Sequence, residues 1–129
     1  MTKEIIISII IVIAVILFDI LSSNYTKQSR QELENCFEEI RFELEKKEPD
    51  EKEINNKMKF AKEKWKSKFE KFAFYIEHDE LEKVETEIYC LNANIDTKEY
   101  QQAIEKVEKC KYILRHIEEK ENLNFKNIF

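Results

Sequence analysis

The stretch INNKMKFAKEKWKSKFEKFAFYI, residues 54–76, decides the fold because its apolar side chains return every three or four positions. That period matches the α-helical repeat of about 3.6 residues, so these side chains share one face of a helix. The spacing predicts a long amphipathic helix that packs against other helices. Its apolar positions are Ile54, Met58, Ala61, Trp65, Phe69, Phe72 and Ile76.

The composition points to the same class of fold. Glycine is absent from the 129 residues, and proline occurs once, at Pro49. Without glycine the chain has no low-energy way to adopt positive φ angles, which disfavours hairpin turns, phosphate-binding loops and most sheets. Charged residues at 38% and apolar residues at 43% are typical of long amphipathic helices. The sequence therefore predicts an all-α protein.

Three further apolar series have the helical period, one before residues 54–76 and two after them. Short connections make consecutive helices antiparallel neighbours, so residues 24–129 are predicted to form an antiparallel bundle of about four helices. An Asp followed three residues later by Glu predicts a helix start at Asp50, Asp79 and Asp96. The series are Leu33, Phe37, Ile40 and Leu44; Leu81, Val84, Ile88, Leu91 and Ile95; and Tyr100, Ala103, Ile104, Val107, Cys110, Leu114 and Ile117.

A separate apolar segment precedes the bundle. The 17 residues from Ile5 to Leu21 contain one charged residue, Asp19, and a bilayer-spanning helix needs roughly 17 to 25 residues. We predict an N-terminal transmembrane helix within residues 1–23. A cleaved signal peptide is the alternative, although the segment is not followed by a small-residue cleavage site. Basic residues are nearly balanced on its two sides, so charge alone does not choose an orientation.

The helix within residues 54–76 is rich in lysine, and the helices on either side of it in the chain are acidic. Basic residues interleaved with aromatic ones occur in nucleic-acid and anionic-lipid sites. Here Trp65, Phe69 and Phe72 fall on the apolar face instead. We therefore predict a solvated face with pairing between helices, and no binding to nucleic acid.

The cysteines, Cys36, Cys90 and Cys110, are odd in number and form no C-x-x-C pair, so no disulfide framework is indicated. They are predicted to be small buried apolar residues. In an antiparallel hairpin of the last two helices, Cys90 and Cys110 lie too far apart for a disulfide. A pairing that involves Cys36 stays open.

The run FYIEHDELEKVE, residues 74–85, contains His78 and Asp79 at the predicted junction of two helices. The antiparallel register brings His116 near His78, close to the end of the apolar segment. Two imidazoles with nearby carboxylates suit a divalent metal or a pH-responsive pair. The spacing matches no known ligand motif, so a structural junction is favoured over a metal site at His78, His116 and Asp79.

The chain resembles the bacterial domain-of-unknown-function family 4363. The resemblance rests on the apolar N-terminus, Trp65, the run at residues 74–85, LRHIEEKE at 114–121 and LNFKNIF at 123–129. It implies a small membrane-anchored protein of Firmicutes, helical after the anchor and displayed outside the cell. It also implies a membrane partner, such as a small multi-pass membrane protein, and it supplies no established activity.

These patterns predict a membrane-tethered helical interaction or accessory module, with a metal or pH sensor using His78 and His116 as the alternative. No phosphate loop, serine elbow or thiol pair is present, so neither enzymatic activity nor a cofactor is expected. The apolar tail is predicted to cap the base of the bundle, enter the lipid interface or bind a partner, and self-association stays open. The predicted interaction or structural residues are Trp65, Phe69, Phe72, His78, Asp79, Leu81, Phe125, Ile128 and Phe129.

Overall fold

The computed structural model describes residues 1–128, with the side chains in that range except those of Phe125, Asn127 and Ile128. This part of the chain contains four α-helices and no strand, which confirms the predicted all-α class. The helices are α1 (Thr2–Leu44), α2 (Glu51–Phe72), α3 (His78–Asp96) and α4 (Tyr100–Ile128).

The four helices form a closed antiparallel ring. α1 packs against α2 and α4, and α3 packs against the same two helices from the other side. Along α1, Arg41 pairs with Glu108, and Arg30, lower on the helix, pairs with Glu118, so α4 runs opposite to α1. The predicted antiparallel bundle is confirmed.

The apolar segment and the first bundle helix are one continuous helix. Neither glycine nor proline interrupts residues 2–44, so nothing in the sequence stops the helix near residue 23. The segment Ile5–Leu21 is exposed except at Ile16 and Asp19, which are half-buried, whereas Leu33, Phe37 and Ile40 are fully buried in the bundle. One window of 18 residues in α1 has a mean hydropathy of 3.1 and no buried residue. Such a helix is long and apolar enough to cross a membrane, and a signal sequence has the same character.

The core consists of the residues that the helical period selected. All members of the four series are buried except Phe69, Tyr100 and Ile104, which are half-buried against the core. Burying one large apolar side chain contributes about 1.5 to 3 kcal/mol. The series therefore account for the packing of all four helices on one another.

The predicted start at Asp50 is confirmed. Its carboxylate accepts hydrogen bonds from the backbone N–H groups of Lys52 and Glu53, at 3.0 and 3.3 Å. The return bond to the cap amide comes from another helix: Glu43 of α1 accepts from the Asp50 N–H at 3.3 Å. α1 thereby fixes the start of α2.

A helix does start in the predicted run at His78 and Asp79, but Asp79 is not its N-cap, and the start predicted at Asp96 is wrong. Asp79 lies within the first turn of α3, which begins at His78 after the N-cap Glu77. Asp96 is the last residue of α3, because Lys98 adopts a left-handed backbone with φ of 59° and ends that helix. The backbone N–H of Glu99 bonds the Asn94 carbonyl at 2.8 Å, as in a Schellman motif. α4 consequently starts four residues later, at Tyr100.

Two other boundaries differ from the sequence prediction. α2 ends at Phe72, so the buried Ile76 belongs to the connection between α2 and α3 and not to the helix itself. The apolar tail is not a separate segment, because α4 continues through Ile128.

All three cysteines are free. Cys36 and Cys110 are buried and Cys90 is half-buried, which confirms the apolar interpretation for the first two. Burial raises the pKa of the Cys36 thiol, and it raises the pKa of Cys110 to about 12. The disulfide that was left open for Cys36 does not form.

Candidate functional site

The predicted aromatic residues of α2 lie in or beside the core. Trp65 and Phe72 are 4% and 1% exposed, and Phe69 is half-buried. The Trp65 ring stands 5.9 Å from the Phe69 ring and 6.1 Å from the Phe72 ring, between centroids. Leu81 of α3 is fully buried. Trp65, Phe72 and Leu81 are therefore residues of the core, and Phe69 stands at its edge.

An open groove separates α2 from α3, the neighbouring pair that contacts each other least. Its volume is about 720 Å³, within the range of about 300 to 1,000 Å³ found for ligand sites. Its apolar lining consists of the exposed Tyr89, the half-buried Phe69 and the buried Trp65 and Ile88, and charged groups of both signs border it. The charged residues are Lys62, Lys66, Glu70 and Glu85.

Tyr89 is the functional candidate in this groove that the sequence reasoning missed. It falls off the apolar period of α3, next to the buried Ile88, and its side chain is 78% exposed. A large aromatic residue between core positions and charged ones was the available signal. Tyrosine and tryptophan are enriched where proteins bind other proteins.

The indole N–H of Trp65 is buried and finds no acceptor among the described residues. A buried donor without a partner costs about 1 to 3 kcal/mol. This unsatisfied donor belongs to a buried residue that lines the groove.

His78 lies at the N-terminus of α3, below the groove. Its side chain is 70% exposed, and its Nε2 is 3.1 Å from Glu82 Oε1, one turn along the helix. The imidazole ring also meets the edge of Phe69, at 6.5 Å between centroids. Asp79 is exposed and does not cap the helix. These contacts are those of a helix start at the surface.

The candidate metal ligands, His78, Asp79 and His116, are all exposed. His116 is exposed on α4, whereas His78, at the start of α3, contacts Glu82. Among the residues that the structure describes, no group of three or more His, Cys, Asp or Glu side chains is placed to hold a metal ion. The antiparallel register places both histidines at the same end of the hairpin, and a metal or pH-responsive site there stays a prediction.

A buried carboxylate beside this junction was not predicted. Glu80 is 7% exposed, and a 2.9 Å hydrogen bond from Lys83 lowers its pKa although burial acts in the opposite direction. Lys120 of α4 lies 3.2 Å from Glu77 and 3.8 Å from Glu80. This lysine connects the start of α3 to α4. No pattern in the sequence indicated this contact, because Glu80 belongs to a run of acidic residues that looks uniformly exposed.

The lower end of the bundle is fixed to the last turns of the apolar segment. Tyr75, in the α2–α3 connection, meets the ring of Phe18 edge-on, at 6.3 Å between centroids. Its hydroxyl hydrogen-bonds Thr26 at 2.7 Å and donates to the Ser22 carbonyl at 3.3 Å. Ser23 hydrogen-bonds Asn122 of α4 at 3.2 Å. The predicted position of the helix junction and of the end of α4, beside the end of the apolar segment, is confirmed, and we call this end the bundle base.

Ion pairs join α1 to its two neighbours. Arg30 bonds Glu34 at 2.6 Å and also pairs with Glu118, with all three side chains largely buried. On the other side of α1, Glu32 pairs with lysines of α2 at 3.0 and 3.4 Å. The lysine-rich helix thus pairs with an acidic neighbour, as the charge pattern predicted.

The apolar residues of the C-terminus are only partly described. Leu123 is 58% exposed. The predicted interaction residues Phe125 and Ile128 have side chains outside the described set, and Phe129 lies outside the described residues altogether.

Comparison with known proteins gives one result. No curated protein and no solved structure matches the chain significantly. A family model matches residues 20–128, from the end of the apolar segment to the end of α4. That match covers the whole bundle, and the chain therefore belongs to the family described as Domain of unknown function (DUF4363).

Proposed function

We propose that this protein is a membrane-tethered interaction module that binds the extramembrane part of a membrane partner in the groove between α2 and α3. The tether is the exposed apolar segment of α1, and the bundle stands on the extracytoplasmic side. The role is one of binding or stabilising the partner, without catalysis.

The groove is the observation that carries the proposal. Tyr89 and the half-buried Phe69 stand at its surface beside the buried Trp65, and charged residues form its rim. Interfaces that bind tightly have this arrangement, with aromatic residues at the centre and polar ones around them. A groove between two helices accepts the apolar face of a third helix.

The position of the groove favours a partner in the same membrane. Phe69 lies one helical turn above Phe72, which packs against Tyr25 near the bundle base. From Phe69 to Lys62 the groove extends about 10 Å along α2, at about 1.5 Å per residue. A helix that emerges from the bilayer beside α1 reaches this height within a few turns.

Site-specific photocrosslinking tests the proposal. Tyr89 is replaced by a photoreactive phenylalanine analogue in the full chain, and native membranes are irradiated. Tyr112 of α4 provides the matched control, since it is a tyrosine of similar exposure, 72% against 78%, that does not line the groove. We expect an adduct with a membrane protein from position 89 and none from position 112.

The other outcomes argue against the proposal in different ways. Equal labelling from both positions would show that the groove has no special role. An adduct between two copies of the chain would replace the membrane partner with self-association. The metal-sensing alternative gains no support from the described residues, among which no three or more His, Cys, Asp or Glu side chains form a group that could hold a metal ion.

A further inference from the structure

Phe74 is the most exposed phenylalanine of the described side chains. It lies in the α2–α3 connection, and its side chain is 84% exposed. Its neighbours Phe72 and Ile76 are buried, and Tyr75 packs against α1. The connection thus turns one phenylalanine outward while the apolar residues around it face the core.

The connection is held at a fixed height relative to the apolar segment. Tyr75, the next residue, contacts the ring of Phe18 and the carbonyl of Ser22. Phe18 is part of the apolar segment, in its last turns. A side chain that neighbours Tyr75 therefore lies at the level where the apolar segment ends.

Two other features at the bundle base suit a lipid surface. Leu123 of α4 is also exposed, at 58%, and follows Asn122, which bonds Ser23. Lys71 of α2 lies with its Nζ 5.1 Å from the centre of the Tyr25 ring. Aromatic and aliphatic side chains with a nearby lysine are typical of residues that enter the boundary between lipid headgroups and acyl chains.

We propose that Phe74 inserts into this boundary of the same bilayer that holds α1, and so forms a second attachment of the bundle to the membrane. This inference rests on the membrane tether of the proposed function. A single helix leaves the bundle free to rotate about the axis of α1. A second attachment at the α2–α3 connection prevents this rotation. It therefore fixes the direction in which the groove opens relative to α1.

Quenching of tryptophan fluorescence by brominated phospholipids tests the insertion. The full chain is reconstituted into vesicles whose lipids carry bromine on the upper acyl chain, and each variant is compared with the parent, which retains the buried Trp65. The variants are Phe74→Trp, Phe18→Trp in the apolar segment and Phe42→Trp. Phe42 is the matched control, since it is an exposed phenylalanine of α1 about 36 Å above Phe18 at about 1.5 Å per residue.

We expect the added fluorescence of Phe74→Trp to be quenched at least half as strongly as that of Phe18→Trp, and that of Phe42→Trp to be unchanged. If Phe18→Trp is quenched and Phe74→Trp behaves like Phe42→Trp, the second attachment is refuted and the tether stands. If Phe18→Trp is not quenched, the tether fails, and the insertion of Phe74 fails with it.

Discussion

Lys98 provides a sharp test of the backbone, because it is a residue with a side chain in a conformation that glycine adopts readily. Its φ angle is 59°, and it ends α3 in a chain that contains no glycine. Holding a non-glycine residue in the left-handed region costs about 1 to 2 kcal/mol. Glycine avoids this cost. It also makes the unfolded chain more flexible, which reduces the resulting gain in stability by about 0.4 to 1 kcal/mol. We therefore expect the free energy of unfolding of Lys98→Gly to exceed that of Lys98→Ala by about 0.5 to 1 kcal/mol.

The control for this change is Lys98→Ala. Both variants lose the pair between Lys98 and Glu51, which is 3.4 Å long and more than 60% exposed on both sides, so it contributes about 0 to 1 kcal/mol. Alanine keeps the strain of the left-handed backbone, whereas glycine removes it. The difference between the two variants therefore isolates the backbone effect.

Thermal unfolding of the full chain in detergent micelles, followed by circular dichroism, measures this difference. A gain of about 0.5 to 1 kcal/mol corresponds to an increase of about 2 to 6 °C in the unfolding midpoint for a bundle of this size. If the glycine variant is no more stable than the alanine variant, residue 98 does not hold a left-handed conformation, and the account of how α3 ends is wrong.

Two further predictions concern charges on the bundle. Burial raises the pKa of Glu121 above its ordinary value of 4.5, so the folded state holds this proton more tightly and loses stability as the pH rises from 4.5 through the raised pKa. Glu121→Gln is expected to increase the free energy of unfolding at pH 7 by less than about 1 kcal/mol, seen as a higher unfolding midpoint. Below about pH 4 the substitution is expected to have no effect on stability. An equal gain at both pH values would contradict this. Arg30→Met leaves Glu34 and Glu118 without their shared partner and is expected to lower the free energy of unfolding in urea by about 1.5 to 3 kcal/mol. Arg41→Met, whose ion pairs are more exposed, is expected to cause a smaller loss, and equal losses would show that burial of the Arg30 pairs has no effect.

The helical period was sufficient to predict most of the core. Leu33, Leu81 and Val107 are fully buried, as their spacing required, because a helix presents every third or fourth residue to the same neighbour. Local capping signals were less reliable. Asp50 caps α2, but Asp96 ends α3, because an Asp–Glu pair favours a helix start without excluding continuation of the helix before it.

The candidate site was less accessible to sequence reasoning. Trp65 and Phe69 were identified, but Tyr89 was not, since it joins them only where α2 and α3 diverge. The two histidines were placed at one end of the bundle, but the contact between His78 and Glu82 was not predicted. Exposure of Phe74 is likewise a property of the connection, in which the residues on both sides of it turn inward.

The sequence by itself determined the class of fold, the four amphipathic series and the exposed apolar segment, because these depend on residue spacing and on the absence of glycine. The tertiary structure decided which helices diverge, which carboxylates are buried and where the α2–α3 connection meets α1. These features depend on contacts between residues far apart in the chain, such as Tyr75 with Ser22 and Lys120 with Glu77. Their geometry follows from how four helices pack together, which no single helix specifies.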